Sequence, residues 1–314
     1  MQKYYSNGKL LLTGEYVVLD GALSLAMPTK YGQSLKVEPI EEPKIIWTSL
    51  DEEKNVWFEN EFLIEEITSP HTSRNDDISN RLTQILNEAK KLNPSFLASN
   101  KGFKITTELD FSKNWGLGTS STLINNIAQW AEVDAYSLLR NTFDGSGYDI
   151  ACTQHNSPIT YQLFNNLDEI SHDTRNDKKR NIQEIEFNPS FTEHLYFVFL
   201  NKKQNSRKGI KHYNANKEAS SSAISEISDI TSKIITCNSL ETFEKLITTH
   251  EQIISKIIKQ KLVKDLFFND FKGNIKSLGA WGGDFVLATS KENPTAYFKT
   301  KGFNTVIPYK DMVL

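Results

Sequence analysis

Short β-rich runs separated by turn signals predict strands in the first half of the chain. Sequences such as "KIIWTSL" and "GFKITTELDF" concentrate β-branched and aromatic residues between polar or glycine-containing segments. We expect neighbouring strands of this set to pair antiparallel. The predicted strands cover 34–40, 44–50, 55–64 and 102–111.

Apolar residues at helical spacing indicate helices between and after these strands. The sequence "DDISNRLTQILNEAKKL" over 76–92 has one apolar and one charged face; its apolar face comprises Ile78, Leu82, Ile85, Leu86 and Ala89. A second helix follows the glycine-rich stretch that starts at Gly116; its apolar positions are Leu123, Ile124, Ile127, Ala128 and Ala131. Asp134 is placed to cap a third helix over 135–143.

The second half begins with strand patterns and then becomes strongly helical. We predict strands over 159–164, 181–187 and 194–200, and long helices over 214–237 and 239–262. The segment "SLGAWGGDFVLATS" then runs from glycines into an apolar strand, which suits a loop close to a ligand. Mixed strands and helices without strict alternation indicate an α+β fold. A polar run between Pro158 and Glu193 is a plausible domain boundary.

Composition narrows the class of protein. The 314 residues are 38% hydrophobic and 24% charged, as in ordinary globular proteins. The net charge of −3 gives no basic excess for a nucleic-acid backbone, so we expect a small-molecule substrate and no nucleic acid. Neither a membrane span nor a signal peptide is apparent, and the only cysteines are Cys152 and Cys237, so we expect a cytoplasmic protein with no membrane partner.

The stretch "GLGTSST", which starts at Gly116, is the first candidate for chemistry. Glycines let the backbone approach a ligand, and the amides and dipole at a helix N-terminus attract phosphate. The stretch is neither a Walker A loop, which needs a lysine, nor a dinucleotide fingerprint, because Ser121 occupies the third glycine position. Taken alone, it fits equally well a helix capped by serine or threonine hydroxyls.

Two further segments favour the phosphate-binding interpretation over the capped helix. Near the N-terminus, "NGKLLLTGEY" contains Lys9, and near the C-terminus "GAWGGD" ends at Asp284. With "GLGTSS" between them, these segments resemble, in order, the three motifs of the GHMP kinases, named for galactokinase, homoserine kinase, mevalonate kinase and phosphomevalonate kinase. Four substitutions depart from the family pattern: Asn7 replaces a proline, Thr119 a serine, Ser121 an alanine, and Trp281 a glycine.

The resemblance implies a two-domain α+β fold. It pairs an N-terminal ribosomal protein S5 domain 2-like domain, built on a left-handed β–α–β unit, with a ferredoxin-like C-terminal domain. We place the nucleotide-binding domain at 1–175 and the C-terminal domain at 176–314. The active site is expected in the cleft between them, and the protein is expected to be a monomer or homodimer.

The resemblance also implies an ATP-dependent kinase that uses Mg²⁺. By analogy, Asp149 in "GSGYDIA" orients or deprotonates the acceptor hydroxyl, and Lys9 is its cationic partner. Ser120 is the expected Mg²⁺ ligand. The nucleotide cradle is expected to comprise Gly116, Leu117, Gly118, Thr119, Ser120 and Ser121. The expected substrate-site residues are Glu15, Ser206, Arg207, Gly282, Gly283 and Asp284.

Each assignment has a structural alternative. Lys9 could be a surface lysine, Asp149 a cap for a helix starting at Ile150, and Glu15 a hydrogen-bond partner of nearby backbone. The cations around Arg207 could be a solvated face. Cys152 suits a small buried residue better than a nucleophile. The histidines lack metal-ligand spacing.

The acceptor class is less constrained than the kinase fold. The Gly-Gly-Asp of "GAWGGD" and the opening "LLTGEYVVLDGA" look more like phosphomevalonate kinases, and Arg207 would suit a phosphorylated substrate. The stretch before Asp149 offers no clear second Mg²⁺ ligand of the mevalonate kinase type. We expect a mevalonate or phosphomevalonate kinase of isoprenoid biosynthesis. The alternatives are a kinase for a sugar or homoserine and a non-catalytic nucleotide-binding member.

Overall fold

The computed structural model describes residues 1–68, 76–99, 101–164, 179–215 and 221–314. Strands β1 to β11 are Gln2–Thr13, Ser24–Ile40, Lys44–Leu50, Val56–Leu63, Gly102–Leu109, Ile159–Phe164, Lys179–Glu184, Leu195–Phe199, Ile275–Ser277, Phe285–Thr289 and Val306–Pro308. Helices α1 to α11 are Ile64–Thr68, Asp77–Leu92, Thr119–Ala131, Ala135–Thr142, Tyr148–Thr153, Ser206–Asn214, Ser221–Ile235, Leu240–Ile258, Val263–Phe267, Thr295–Thr300 and Tyr309–Met312.

The chain forms two compact units. Unit 1 comprises Met1–Gly8, Tyr31–Lys113 and Leu117–Gln154. Unit 2 comprises Lys9–Lys30, Asn114–Gly116 and His155–Leu314. The predicted boundary between 175 and 176 lies outside the described residues, so the placement of the two domains remains a prediction.

Unit 1 is a sheet covered by helices. Its strands follow the order β4-β3-β5-β2, with β4 antiparallel to β3 and β5 antiparallel to β2. The expectation of antiparallel pairing throughout is wrong for β3 and β5, which are parallel. The chain reaches β5 only after helix α2, and such a crossover returns a strand in the same direction as its neighbour.

The predicted helices of unit 1 are confirmed. Side chains of α2 and α3 enter one hydrophobic core with the inner face of the sheet. In α2 the predicted apolar face is buried except at Ile78, which lies in the first turn and is 44% exposed. Asp134 caps α4, since its carboxylate accepts a hydrogen bond from the Ser137 amide at 2.7 Å.

Unit 2 contains the strand order β2-β6-β7 and a second, antiparallel sheet of order β11-β8-β10-β9. Helices α7 and α8 confirm the existence of the two predicted long helices, but they end at Ile235 and Ile258 and not at the predicted 237 and 262. The predicted first helix also began at Asn214, which ends α6, and included 216–220, which lie outside the described residues. Strand β10 follows the glycine-containing segment, as predicted. Both cysteines are buried free thiols, in agreement with the interpretation of Cys152. No helix of the described residues is long and apolar enough to span a membrane.

Candidate active site

The glycine-rich stretch opens helix α3 in unit 1. Gly118 is the N-cap residue with φ of +98°, a left-handed conformation that glycine adopts without a side-chain clash. Among the described residues, no side chain caps this helix end. The hydroxyls of Ser121 and Thr122 instead donate hydrogen bonds to the Gly118 carbonyl, at 2.8 and 3.2 Å. The alternative of a helix capped by hydroxyl side chains therefore does not describe this helix start.

The uncapped end suits an anionic ligand. The first amides of an α-helix have no partner inside the helix, and here no side chain of the described chain supplies one. Beside them, the Thr119 hydroxyl is buried and has no hydrogen-bond partner within the described ranges. Ser120 is exposed, whereas Leu117 and Ser121 are buried and could contribute only backbone amides to a ligand. The residues present therefore fit a nucleotide phosphate.

Asp149 lies in the first turn of α5, which packs against α3 within unit 1. The N-cap of this helix is Gly147, with φ of +84°, so Asp149 is not the cap residue that the structural alternative required. Its carboxylate accepts a hydrogen bond from the Ile150 amide at 3.1 Å, and the residue is half-buried. A further hydrogen bond between Gln154 and Asn125, at 2.9 Å, holds α5 to α3.

In unit 2, Lys9 and Asp284 lie beside Gly116. The Lys9 ammonium donates a hydrogen bond to the Gly116 carbonyl at 3.2 Å. Gly116 has φ of +71°, and a Cβ at this position would come within 2.4 Å of the Asp284 carboxyl carbon. Only glycine therefore lets this carboxylate lie against the loop. Three predicted site residues from three distant sequence segments are thus neighbours.

Asp284 closes the loop between β9 and β10. Its amide donates to the Lys202 carbonyl at 2.7 Å, and its carboxylate accepts from the Gln204 amide at 3.0 Å. Burial raises the pKa of this carboxyl, while the Gln204 amide and the charge of Lys9 favour the ionised form. The position is 8% exposed and has a left-handed backbone, with φ of +52°.

The two glycines before Asp284 bring the loop close to the segment after β8. A Cβ on Gly283 would lie 2.4 Å from the Lys202 carbonyl oxygen, so no larger residue fits there. Gly282 has φ of +85°, which favours glycine at this turn. Trp281 is 4% exposed, and its amide donates to the Tyr16 hydroxyl at 3.3 Å.

The predicted substrate residues Ser206 and Arg207 begin helix α6. Both are exposed, and Asn205 caps the helix by accepting hydrogen bonds from the amides of Arg207 and Lys208. The structure therefore presents the Arg207 side chain on an exposed, capped helix start. The substrate role of Ser206 and Arg207 remains a prediction.

Glu15 is the most buried of the predicted substrate residues. It is 1% exposed, and its carboxylate pairs with the Lys276 ammonium on β9. Burial raises the pKa of Glu15, and the Lys276 charge opposes that shift. Its predicted substrate role remains a prediction, but the carboxylate already has a cationic partner inside unit 2.

Sequence reasoning missed Lys276 and its neighbours His250 and Glu251 on α8. A signal existed for the latter two, because they occupy the apolar stripe of α8 defined by buried Phe243, Ile247 and Ile254. Polar residues at such positions need buried partners. Lys276, in the three-residue strand β9, carried no comparable periodicity. Among the described residues, no three His, Cys, Asp or Glu side chains form a group that could hold a metal ion.

No protein-family model and no curated protein matches the sequence. Solved structures do match, over nearly the whole chain. The Streptococcus pneumoniae phosphomevalonate kinase, in complex with phosphomevalonate and AMPPNP, aligns with a TM-score of 0.69 at 17% identity, covering 96% of this chain and 96% of that chain. The Methanococcus jannaschii mevalonate kinase gives 0.66 at 16% identity, covering 97% and 96%.

A sugar kinase matches as well. The Lactococcus lactis galactokinase complexed with galactose aligns with a TM-score of 0.59 at 14% identity, covering 96% of this chain and 88% of that chain. These solved structures are kinases whose acceptors differ, so the likeness reports a shared scaffold and not a shared substrate. The prediction of fold is confirmed: the chain has the α+β fold of the GHMP kinases.

Proposed function

We propose that the protein is an ATP-dependent small-molecule kinase. The observation that carries this proposal is the start of α3, where a glycine N-cap leaves the first amides without a side-chain partner among the described residues. A solved protein of the same fold was crystallised with AMPPNP, an analogue of ATP, which supports a nucleotide as the anion bound there. Bound MgATP supplies the phosphoryl group and the charge neutralisation that its transfer requires.

Each candidate residue then has a defined task. The amides at the start of α3, that of Thr119 among them, bind phosphate oxygens, and Ser120 is the proposed Mg²⁺ ligand. Mg²⁺ commonly uses one or two protein oxygens together with substrate phosphates, so a cluster of carboxylates is not required. Asp149 holds or accepts the proton of the acceptor oxygen, and Lys9 provides positive charge. The proposed substrate site is lined by the backbone of Gly282, Gly283 and Asp284.

For the acceptor, we propose a mevalonate-type substrate, mevalonate or phosphomevalonate. The exposed cations at and before the start of α6 favour an acceptor that carries a carboxylate or phosphate; they are Lys202, Lys203, Arg207 and Lys208. A neutral hexose carries no negative charge that these cations could attract. The phosphomevalonate complex among the matching folds supports the same class.

The test is ATP consumption measured with mevalonate, phosphomevalonate, homoserine and hexoses, each at saturating MgATP. We expect turnover with one of the two mevalonate-type acceptors and none above background with hexoses. Arg207→Gln should raise KM for that acceptor about tenfold, the loss of one charge-assisted contact, with little change in kcat. Turnover with a hexose or homoserine alone would overturn the acceptor class, and no turnover with any acceptor would favour a non-catalytic nucleotide binder.

A further inference from the structure

A fully buried charged cluster lies in unit 2, apart from the residues assigned to phosphoryl transfer. Lys276 is 0% exposed, and its ammonium pairs with the Glu15 carboxylate and lies 3.8 Å from that of Glu251. It also donates a hydrogen bond to the Ser277 carbonyl at 3.0 Å. A buried ion pair rarely increases stability over an apolar pair of similar shape. A role in fixing geometry is therefore a better explanation for it.

The neighbouring His250 binds the backbone at Gly14, the residue before Glu15. The Gly14 amide donates a hydrogen bond to His250 Nε2 at 3.0 Å, so this nitrogen acts as an acceptor and the imidazole is neutral. Its distance of 3.3 Å from a Glu15 oxygen is consequently not an ionic contact. Burial and the Lys276 charge hold the His250 pKa well below its usual range, in agreement with a neutral ring.

The cluster joins two distant segments of the proposed active site. Glu15 lies two residues after the end of β1, the strand that carries Lys9. Lys276 lies on β9, one arm of the hairpin whose loop ends at Asp284. The next residue makes a second connection to that loop, because the Tyr16 hydroxyl accepts the Trp281 amide at 3.3 Å. Consecutive residues therefore hold both the base and the tip of one hairpin.

We propose that Glu15 and Lys276 are positioning residues that, with Tyr16, hold the loop over 279–284 so that Asp284 and Lys9 stay beside Gly116. Only the consequence for turnover rests on the proposed kinase function. Displacement of this hairpin by about one ångström would separate the Asp284 carboxylate from the Gln204 amide, now 3.0 Å away. Misplacement of that size is enough to reduce turnover by a large factor.

The hydrogen bond from the Trp281 amide to Tyr16 also explains why a tryptophan fits at this position of the glycine-rich loop. A backbone amide can be held by Tyr16 whatever its side chain, so the hairpin tip tolerates an indole that is itself 4% exposed. The Tyr16 ring also stacks on Tyr213 of α6, with centroids 5.7 Å apart, and Tyr213 donates to Asp20 at 2.5 Å. These contacts hold the Tyr16 ring in place independently of its hydrogen bond to the loop.

The test is hydrogen exchange of the free protein, followed by mass spectrometry of peptides covering 279–284 and 202–204. The main variant is Glu15→Gln/Lys276→Met, which removes both charges together and so leaves no buried unpaired ion. We expect exchange in these peptides to accelerate about tenfold while α10 of the same unit keeps its protection. Tyr16→Phe, which introduces no buried charge, should accelerate the 279–284 peptide in the same way.

The matched control is Lys264→Met. Lys264 donates to the Gly273 carbonyl at 2.7 Å, just before β9, and does not contact Glu15 or Tyr16. It should leave exchange over 279–284 unchanged. Uniform acceleration of exchange throughout unit 2 would show that the cluster only contributes to general stability. Unchanged exchange in both test variants would show that these contacts do not hold the loop. Either result would overturn the proposal.

Turnover gives a second, separable result. If the wild-type protein phosphorylates an acceptor, the double variant should lose at least about tenfold in kcat, with a smaller change in KM for ATP. If the wild-type protein shows no turnover, the proposed function fails, but the exchange measurement still decides whether Glu15 and Lys276 position the loop. Full turnover together with accelerated exchange would contradict the link between loop position and catalysis.

Discussion

Among single residues, Asp149 is the one whose substitution separates an effect on phosphoryl transfer from an effect on nucleotide binding. Asp149→Asn keeps the size of the side chain and its ability to accept the Ile150 amide, but removes the negative charge that holds or accepts the proton of the acceptor hydroxyl. We expect kcat to fall by about 10²-fold or more, the usual loss for a general base, with little change in ATP affinity. Initial rates and ATP titrations on one preparation test this.

Asp144→Asn is the matched control for Asp149. Asp144 is exposed, precedes the same helix and has φ of +59°, which asparagine tolerates as well as aspartate. Its substitution should leave kcat within about twofold of the wild type. Near-normal turnover of Asp149→Asn would remove Asp149 from the proposed catalytic residues, and loss of ATP binding with turnover would indicate a structural role.

Glu251 gives the cluster in unit 2 a defined dependence on pH. Burial raises its pKa to about 8, although Lys276 opposes the shift. Between the ordinary glutamate range and that value, the folded protein retains a proton that the unfolded chain releases. The free energy of unfolding therefore falls as pH rises across this interval.

Glu251→Gln should remove that slope. We expect the melting temperature of the variant, relative to the wild type, to rise by several degrees from about pH 5 to about pH 9. The exposed Glu241→Gln, on the same helix and paired with Lys245, should show a constant difference across this range. A constant difference for Glu251→Gln as well would mean that this carboxyl is not protonated in the folded state.

At the level of elements, the close contact between the loop at Gly116 and the loop that ends at Asp284 requires a glycine at position 116. Gly116→Ala would strain a backbone with φ of +71° and push a methyl group against the Asp284 carboxylate. Gly302 has φ of +87°, and a methyl group there would meet no described atom within 4 Å, so Gly302→Ala carries the backbone cost alone.

We therefore expect Gly116→Ala to lower the free energy of unfolding by about 2 kcal/mol, and Gly302→Ala by about 1 kcal/mol. Urea denaturation of the three proteins measures both values. Equal losses would show that Asp284 moves away from the methyl group without cost, and the close packing of Asp284 on Gly116 would then not constrain the loop.

Elements with a strong periodic pattern were predictable, and contacts between distant segments were not. The apolar face of α2 and the cap of α4 follow from local spacing, which the sequence displays directly. The parallel pairing of β3 and β5 depends on where the chain returns after α2, which no local pattern encodes. Lys276 was missed for the same reason, since its partner Glu15 lies far away along the chain.

Motif resemblance supplied what periodicity could not. It predicted that Lys9, Gly116 and Asp284 belong to one site, and the structure places these three side by side within unit 2. It did not identify what holds them there, because motifs record residues common to many chains and not the contacts that support them in one. Glu15 illustrates the difference: the motif suggested substrate, and the structure adds a buried lysine partner.

For the whole molecule, the proposed function predicts coupling between nucleotide binding and stability. MgATP should bind the folded start of α3 and not the unfolded chain, so it should raise the melting temperature by mass action. At a concentration about 100 times the dissociation constant, the gain is about 2.7 kcal/mol. Thermal denaturation with and without millimolar MgATP measures it, with MgCl₂ alone as the reference.

A pair of serine variants makes this measurement specific to the helix start. Ser120→Ala removes the proposed Mg²⁺ ligand at the first turn of α3 and should reduce the thermal shift produced by MgATP. Ser137→Ala, in the capped helix α4, loses only a 3.3 Å hydrogen bond from Arg140 and should keep the full shift. If both variants respond alike, Ser120 is not the metal ligand; if the wild-type protein shows no shift, the nucleotide does not bind this fold at the start of α3, and the proposal of an ATP-dependent kinase loses its main support.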